Sequence, residues 1–388
     1  MKPLKTYALF ASLAVFGLVT IYACQPTDLA VSPAGDFGAL PQTVVAPADN
    51  ATTPEKAALG KLLFYDPVLS GDKDVSCATC HHPKFGYTDG LDLPIGVGGE
   101  GLGTHRRFSR DDRSIPHARR NAPTLLNVAF NGMDTQGRYD PATAPMFYDL
   151  RAKSLEAQSL MPIAAFEEMR GHAFTAANAI DSVVTRLRTI PAYRTSFESV
   201  FGGPGAVTAQ NLGKAIAAYE RTLLASNAPF DRYRRGDNQA MSEAQKRGMV
   251  LFVQNGCNNC HNGPMFSDYK THVLGVVDNE KLGFTDKGKD DTYAFRTPTL
   301  RNIALTAPYM HSGKQQSLNE VLNFYDGVRR GDPLNPNVAV SRLDSLLRPN
   351  ATRSNDLVQF LHALTDDSFD KSVPGRVPSG LAVGGKIQ

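Results

Sequence analysis

Two five-residue stretches, Cys77-Ala78-Thr79-Cys80-His81 and Cys257-Asn258-Asn259-Cys260-His261, decide how this chain is read. Each places two thiols about one helical turn apart, where they can add to the two vinyl groups of one porphyrin. The histidine beside them is set as an iron ligand, and the pattern is that of c-type haem attachment. A single copy would leave zinc binding or thiol redox chemistry open. Two copies in an exported chain point to two covalently bound haem c groups, held by Cys77, Cys80, Cys257 and Cys260, with His81 and His261 on the irons.

Export is read from the N-terminus. Lys2 and Lys5 precede an uncharged apolar stretch from Tyr7 to Ala23, the pattern of a signal segment and at or under the length that a membrane span needs. Ile21-Tyr22-Ala23-Cys24 resembles a lipobox, with Tyr22 an uncommon occupant, so a lipid anchor on Cys24 and a membrane-tethered place in the periplasm are expected, a plain cleaved signal being the alternative. The five cysteines then sort without remainder into Cys24 and the two pairs, leaving none for a structural disulfide. Residues 25–50, rich in Pro, Ala, Asp and Thr, suit a flexible tether.

Working outward from the haem motifs, each is preceded by a helical pattern. Thr53-Pro54-Glu55 opens one that runs through Gly60 to Phe64, and the capping box Ser242-Glu243-Ala244-Gln245 opens another through Gly248 to Phe252. The resemblance of the two halves reads as an imperfect duplication, with the first spacer eight residues longer. A third helix, Thr208 to Leu224, carries Leu212, Ile216, Tyr219 and Leu223 on one face. No strand pattern competes. The expected fold is therefore mainly α, with two cytochrome c-like haem domains packed against each other after a signal/lipoprotein segment. The expected divisions are 1–24 signal, 25–50 tether, 51–225 and 226–370 haem domains, and 371–388 tail. The whole chain, 388 residues with 42% hydrophobic and 20% charged, is long enough for two cores. A formal net charge of +3 gives no case for nucleic acid. Arg106, Arg107, Arg110, Arg113, Arg119 and Arg120 form a local basic run, whose plain reading is a solvated loop.

Beyond the haem motifs, three segments carry a likeness: Arg120-Asn121-Ala122-Pro123-Thr124; Ser154-Leu155-Glu156-Ala157-Gln158 with Pro162 and Glu168-Met169; and Pro298-Thr299-Leu300-Arg301-Asn302 with Thr306-Ala307-Pro308-Tyr309. With these, over roughly residues 53 to 365, the chain resembles the bacterial di-haem cytochrome c peroxidase family, including its MauG-type branch of protein-oxidising enzymes. The resemblance implies that the N-terminal haem is the peroxidatic one and that Gln158 and Glu168 lie on its far side. A carboxylate there can take a proton from one peroxide oxygen and deliver it to the other. Many relatives carry a histidine in the loop after the first motif that caps this iron. Here the matching position is Val97, which cannot ligate, so an open iron is expected. His105 and His117 are the nearby substitutes. His82 cannot reach the opposite face, and His172 reads as a surface residue.

For the C-terminal haem, Ser317-Leu318-Asn319-Glu320 is a capping box whose helix turns Leu318, Val321, Leu322 and Tyr325 inward. By resemblance, Tyr325 occupies the place of the second axial ligand, methionine in standard peroxidases of the family and tyrosine in MauG-type enzymes. Met310 and then Met265 are its rivals. A thioether would raise the potential and a phenolate lower it. The resemblance also implies that Tyr148 stands where relatives have an inter-haem tryptophan, in a chain without tryptophan. It further implies a calcium ion held by Asn121, Thr306 and Pro308, oxygen donors of the kind that ion prefers. Three functions follow. The first is reduction of hydrogen peroxide with electrons from a small cytochrome c or cupredoxin; the second is MauG-type, peroxide-dependent oxidation of a partner protein; the third is non-catalytic di-haem electron transfer.

Overall fold

The computed structural model describes residues 37–109, 114–330, 334–347 and 354–387. The expected signal and lipobox lie outside these residues, as do Arg110 and Arg113. Among the described residues the chain is mainly helical, with three antiparallel pairs of two-residue strands.

The first helix, Pro54–Tyr65, starts where Thr53 accepts the Lys56 N–H through its Oγ1 and Pro54 fills the first helical position. It crosses the helix Ala209–Glu220, capped in the same way by Thr208. At the crossing the main chains touch, since a Cβ on Gly60 would lie 1.9 Å from the Ala215 carbonyl oxygen. One turn on, Phe64 meets Tyr219 edge to face, ring centroids 5.2 Å apart.

The second half repeats this contact. The helix Glu243–Gln254 begins with both arms of the Ser242–Gln245 capping box. It crosses Asn355–Ala363 at Gly248, whose Cβ would lie 1.9 Å from the Asp356 carbonyl, and Phe252 meets Phe360 at 5.3 Å. After each haem motif a Pro-Thr segment repeats too. Thr124 Oγ1 donates to the Gly86 carbonyl and Thr299 Oγ1 to that of Met265, both at 2.6 Å. Asn127 and Asn302 follow in left-handed conformation. The duplication is thus one of packing as well as sequence.

Each half has its own core, but the chain ends are exchanged between them. Residues from Phe37 onward, expected within a tether, are instead built in: Phe37 stacks on Phe266 at 4.9 Å, and the Leu40 N–H donates to Asp231. The Arg301 guanidinium, fully buried, pairs with Asp231 at 2.9 Å and donates to Gly38. The physical reason is that Phe37 and Leu40 are apolar residues with a core within reach. Residues 371–388, expected as a tail, wrap the opposite half as far as they are described. Val377 packs in the N-terminal core, Ser379 Oγ donates to Asp66, and Gly384 N–H donates to the Tyr65 carbonyl.

Two further expectations need correcting. Arg106 is buried rather than solvated and ties the 95–101 loop together by donating to the carbonyls of Ile95, Gly96 and Gly101. Arg120 pairs with Asp286 at 2.6 Å and Asp149 at 2.7 Å across the junction of the two halves. The helix Leu318–Arg329 is capped by Ser317, but the Glu320 carboxylate accepts from Gln316 N–H, so only one arm of the expected box forms.

The crossings generate a test. Gly60→Val and Gly248→Val force two main chains apart and should each lower the urea midpoint by the equivalent of about 1–3 kcal/mol. Gly375→Ala, which meets nothing within 4 Å, should stay within about 0.5 kcal/mol of the parent.

Candidate functional site

The first motif forms a short helix, Cys77–Cys80, and the second a tight turn, Cys257–Asn259. All four cysteines are unbridged. His81 Nδ1 donates to the Tyr87 carbonyl and His261 Nδ1 to that of Phe266, each at 3.0 Å. This bond fixes the ring and the tautomer, leaving Nε2 as the ligand atom. Burial pushes the Cys77 thiol up to about 12, which disfavours the thiolate form that would hold a cation.

Both histidines open onto one continuous cavity. Its walls are largely apolar, with Leu125, Val128 and Leu155 near one end and Leu274, Leu318 and Leu361 near the other. An elongated apolar space flanked at both ends by a paired-thiol motif and an oriented imidazole fits two haem groups.

At the His81 end, the cavity receives Gln158, the last residue of the helix Leu155–Gln158, and Glu168, on the irregular turn Phe166–Arg170. Gln158 Oε1 is buried with no hydrogen-bonding partner. Such an atom is rare in a folded chain and marks a place where a bound group is expected. Burial pushes the Glu168 carboxyl up to about 7, with Glu167 adding repulsion and Arg151 pulling the other way. Val97 is fully buried against Gly171, and its N–H donates to the Glu168 carbonyl, so this loop braces the turn that carries the carboxyl. None of His82, His105, His117 and His172 lines the cavity.

At the other end, Tyr325 and Met310 both line the cavity, packed against the cluster of Val276, Phe324 and Val328. Met265 is placed elsewhere, in a separate core with Leu40 and Phe130, which removes it as a rival. Tyr148 lines the cavity between the ends, its carbonyl accepting the Arg296 N–H at 2.6 Å. Asn121, Thr306 and Pro308 also lie on the cavity wall. The Asn121 amide nitrogen donates to the Leu91 carbonyl at 2.8 Å, which turns its Oδ1 the other way.

Three residues escaped the sequence reading. His272 is clamped between Asp268 at 2.9 Å and Asp344, beside Cys260, and its imidazole is pushed up to about 11, first by the Asp268 bond. Cys260, Asp268 and His272 stand as a metal site would, but Cys260 belongs to the haem motif, so the arrangement is an ion pair at its edge. The i, i+4 spacing of Asp268 and His272 was the available signal. His311 stacks on Phe295 at 3.5 Å and burial pushes it down to about 3, which keeps it neutral. Glu220 lines a smaller pocket with Cys77, Gln158 and Glu168. A helix-terminal glutamate beside Arg221 carries no sequence signal for that.

Residues 54–239 match the family model described as di-haem cytochrome c peroxidase. Over 388 aligned residues, spanning 96% of this chain and 98% of the relative, the chain is 34% identical to the methylamine utilization protein MauG of Methylorubrum extorquens. It is 31% identical to the cytochrome c551 peroxidase of Pseudomonas aeruginosa, covering 85% of this chain and 84% of that one. Among solved structures, a MauG-like protein associated with microbial copper homeostasis superposes with a TM-score of 0.67 at 28% identity, covering 85% of this chain and 95% of the other.

The His272 clamp yields a stability test. A folded-state value above the ordinary 6.5 means the contribution is complete below that pH and is lost as pH rises toward the folded value. Unfolding midpoints should therefore fall as pH rises above 6.5, and His272→Gln should flatten that decline. An unchanged slope would show that the clamp holds no extra proton.

Proposed function

The chain belongs to the di-haem cytochrome c peroxidase family, and within it we propose that the protein reduces hydrogen peroxide to water at the N-terminal haem, using electrons from a small redox protein relayed through the C-terminal haem. The family makes it a peroxidase-type oxidoreductase with two c-type haems. Cys77, Cys80 and His81 would hold one group, and Cys257, Cys260 and His261 the other. When bound, the haem supplies a redox-active iron at which the peroxide O–O bond is broken.

The observation that carries the reading is the pair at the His81 end, a partnerless amide oxygen on Gln158 and a Glu168 carboxyl poised near 7. A carboxyl at that value is half ionised at neutral pH, and it can take a proton from one peroxide oxygen and return it to the other. Gln158 holds the peroxide by hydrogen bonding. Tyr148, packed between the two ends of the cavity, stands where an electron passing from one half to the other would cross. A carrier that does no chemistry has no use for such a carboxyl.

MauG-type oxidation of a partner protein is the second reading, favoured by Tyr325 at the far end of the cavity. A phenolate ligand lowers the potential, which suits withdrawal of electrons from a partner better than their acceptance from a high-potential donor. Calcium at Asn121, Thr306 and Pro308 belongs to either version. So do export to the periplasm and a lipid on Cys24, which rest on the first 24 residues of sequence.

Glu168→Gln should slow the reaction with peroxide by about 10² or more, and wild-type rates should fall as pH drops below about 7, where the base form is lost. An unchanged rate removes Glu168 from the mechanism. The resting EPR spectrum should show one high-spin and one low-spin ferric signal, with Tyr325→Phe altering only the latter. Two low-spin signals would overturn the open site. Fast turnover with reduced cytochrome c selects the peroxidase reading over protein oxidation.

A further inference from the structure

We propose that Glu220, with Arg221 and Glu156, forms the proton inlet of the N-terminal site. This rests on the reading of that site as the place where peroxide is reduced. The reaction H2O2 + 2 H⁺ + 2 e⁻ → 2 H2O consumes two protons per peroxide. A donor protein brings the electrons, but the protons must cross the packed wall around Gln158 and Glu168.

Among the described residues, that wall contains several buried polar atoms without partners, Ser76 Oγ and Gln158 Oε1 among them, and a group of them leads away from the pocket. Glu220 is 3% exposed and closes the helix Ala209–Glu220, placing its side chain on the small pocket that Cys77, Gln158 and Glu168 also line. Its Oε2 has no hydrogen-bonding partner, and neither do Nε and Nη1 of Arg221, itself 2% exposed. Arg221 Nη2 donates to Glu156 Oε1 at 2.7 Å, and Asn50 Nδ2 donates to the same oxygen at 2.7 Å. Glu156 Oε2 is again without a partner, while the Glu156 side chain as a whole is 19% exposed and so reaches solvent. Buried polar atoms are satisfied in the great majority of cases, and where protein groups do not serve, ordered water does. The unpartnered atoms therefore trace a hydrated line from solvent at Glu156, past Arg221, to Glu220 and the pocket.

The groups facing Glu220 fit this role. Burial pushes its carboxyl up to about 8, Arg221 pulls it down and Glu156 pushes it up. Glu220 and Glu168 are both near enough to Cys77 to raise its thiol, so the two carboxyls serve the same end of the cavity. Glu220 hands its proton through water to the Glu168 carboxylate and is recharged from solvent through Glu156. A purely structural carboxylate here would be the ion-pair partner of Arg221, yet Glu156 fills that position.

The test uses the haem-loaded ferric protein and two probes. Cyanide enters as HCN and must shed a proton in the pocket, whereas imidazole binds neutral. Glu220→Gln should slow cyanide association and the peroxide reaction by about tenfold or more and leave imidazole association unchanged. Glu220→Asp, which keeps a carboxyl, should recover part of the loss. Equal losses with cyanide and imidazole would make Glu220 structural and overturn the inlet. Glu168→Gln slow with Glu220→Gln at wild-type rates overturns the inlet alone and leaves the peroxidase reading standing. Wild-type rates in both variants overturn both.

Discussion

Everything at the cavity depends on the contact of two main chains at Gly60 and again at Gly248. A helix crossing this tight fixes where each helix ends, and the haem motif starts twelve residues after the first helix and three after the second. From there the imidazole is set by one bond, Nδ1 to a carbonyl supplied by its own loop, at 3.0 Å in both halves. The Pro-Thr segments then clamp the same loops from outside. Glycine is required at the crossings because any side chain would have to occupy the space of a peptide oxygen.

On this shared frame the two ends have diverged in charge. The His81 end gathers protonatable carboxyls, Glu168 and Glu220, both raised by burial. The His261 end places a clamped imidazolium, His272, at its edge, and a phenol and a thioether on its wall. In the proposed reading one end handles protons, and the other holds its iron closed and sets the potential. Between them lie Tyr148 and the neutral, stacked His311, in a junction held by the Arg120 pairs with Asp149 and Asp286.

What could be read from sequence was local. Two thiols and a histidine at fixed spacing, a capping serine or threonine, and the period of a helix are all set within about ten residues. The helices starting at Pro54, Ala209, Glu243 and Leu318 accordingly stand where their caps put them. The crossing of Asn355–Ala363 with the helix Glu243–Gln254, the burial of Arg106 and the clamp on His272 by Asp344 depend on residues far apart in the chain, so no local pattern announces them. Gln158 and Glu168 were legible only through family resemblance, because a glutamate in Phe166-Glu167-Glu168-Met169-Arg170 looks like a solvated face until the Val97 loop is seen packed on it.

The exchanged ends of the chain have a consequence for the order of assembly. The N-terminal half cannot complete its core until Phe369, Val377 and Gly384 have arrived, and these follow Cys77 by 292 to 307 residues. Until they do, the lobe that carries Cys77 and Cys80 stays open on the side where the C-terminal segment packs, so its two thiols are more accessible in the unfinished chain than in the folded one. The C-terminal segment thus acts as a latch that closes the lobe behind the two thiols.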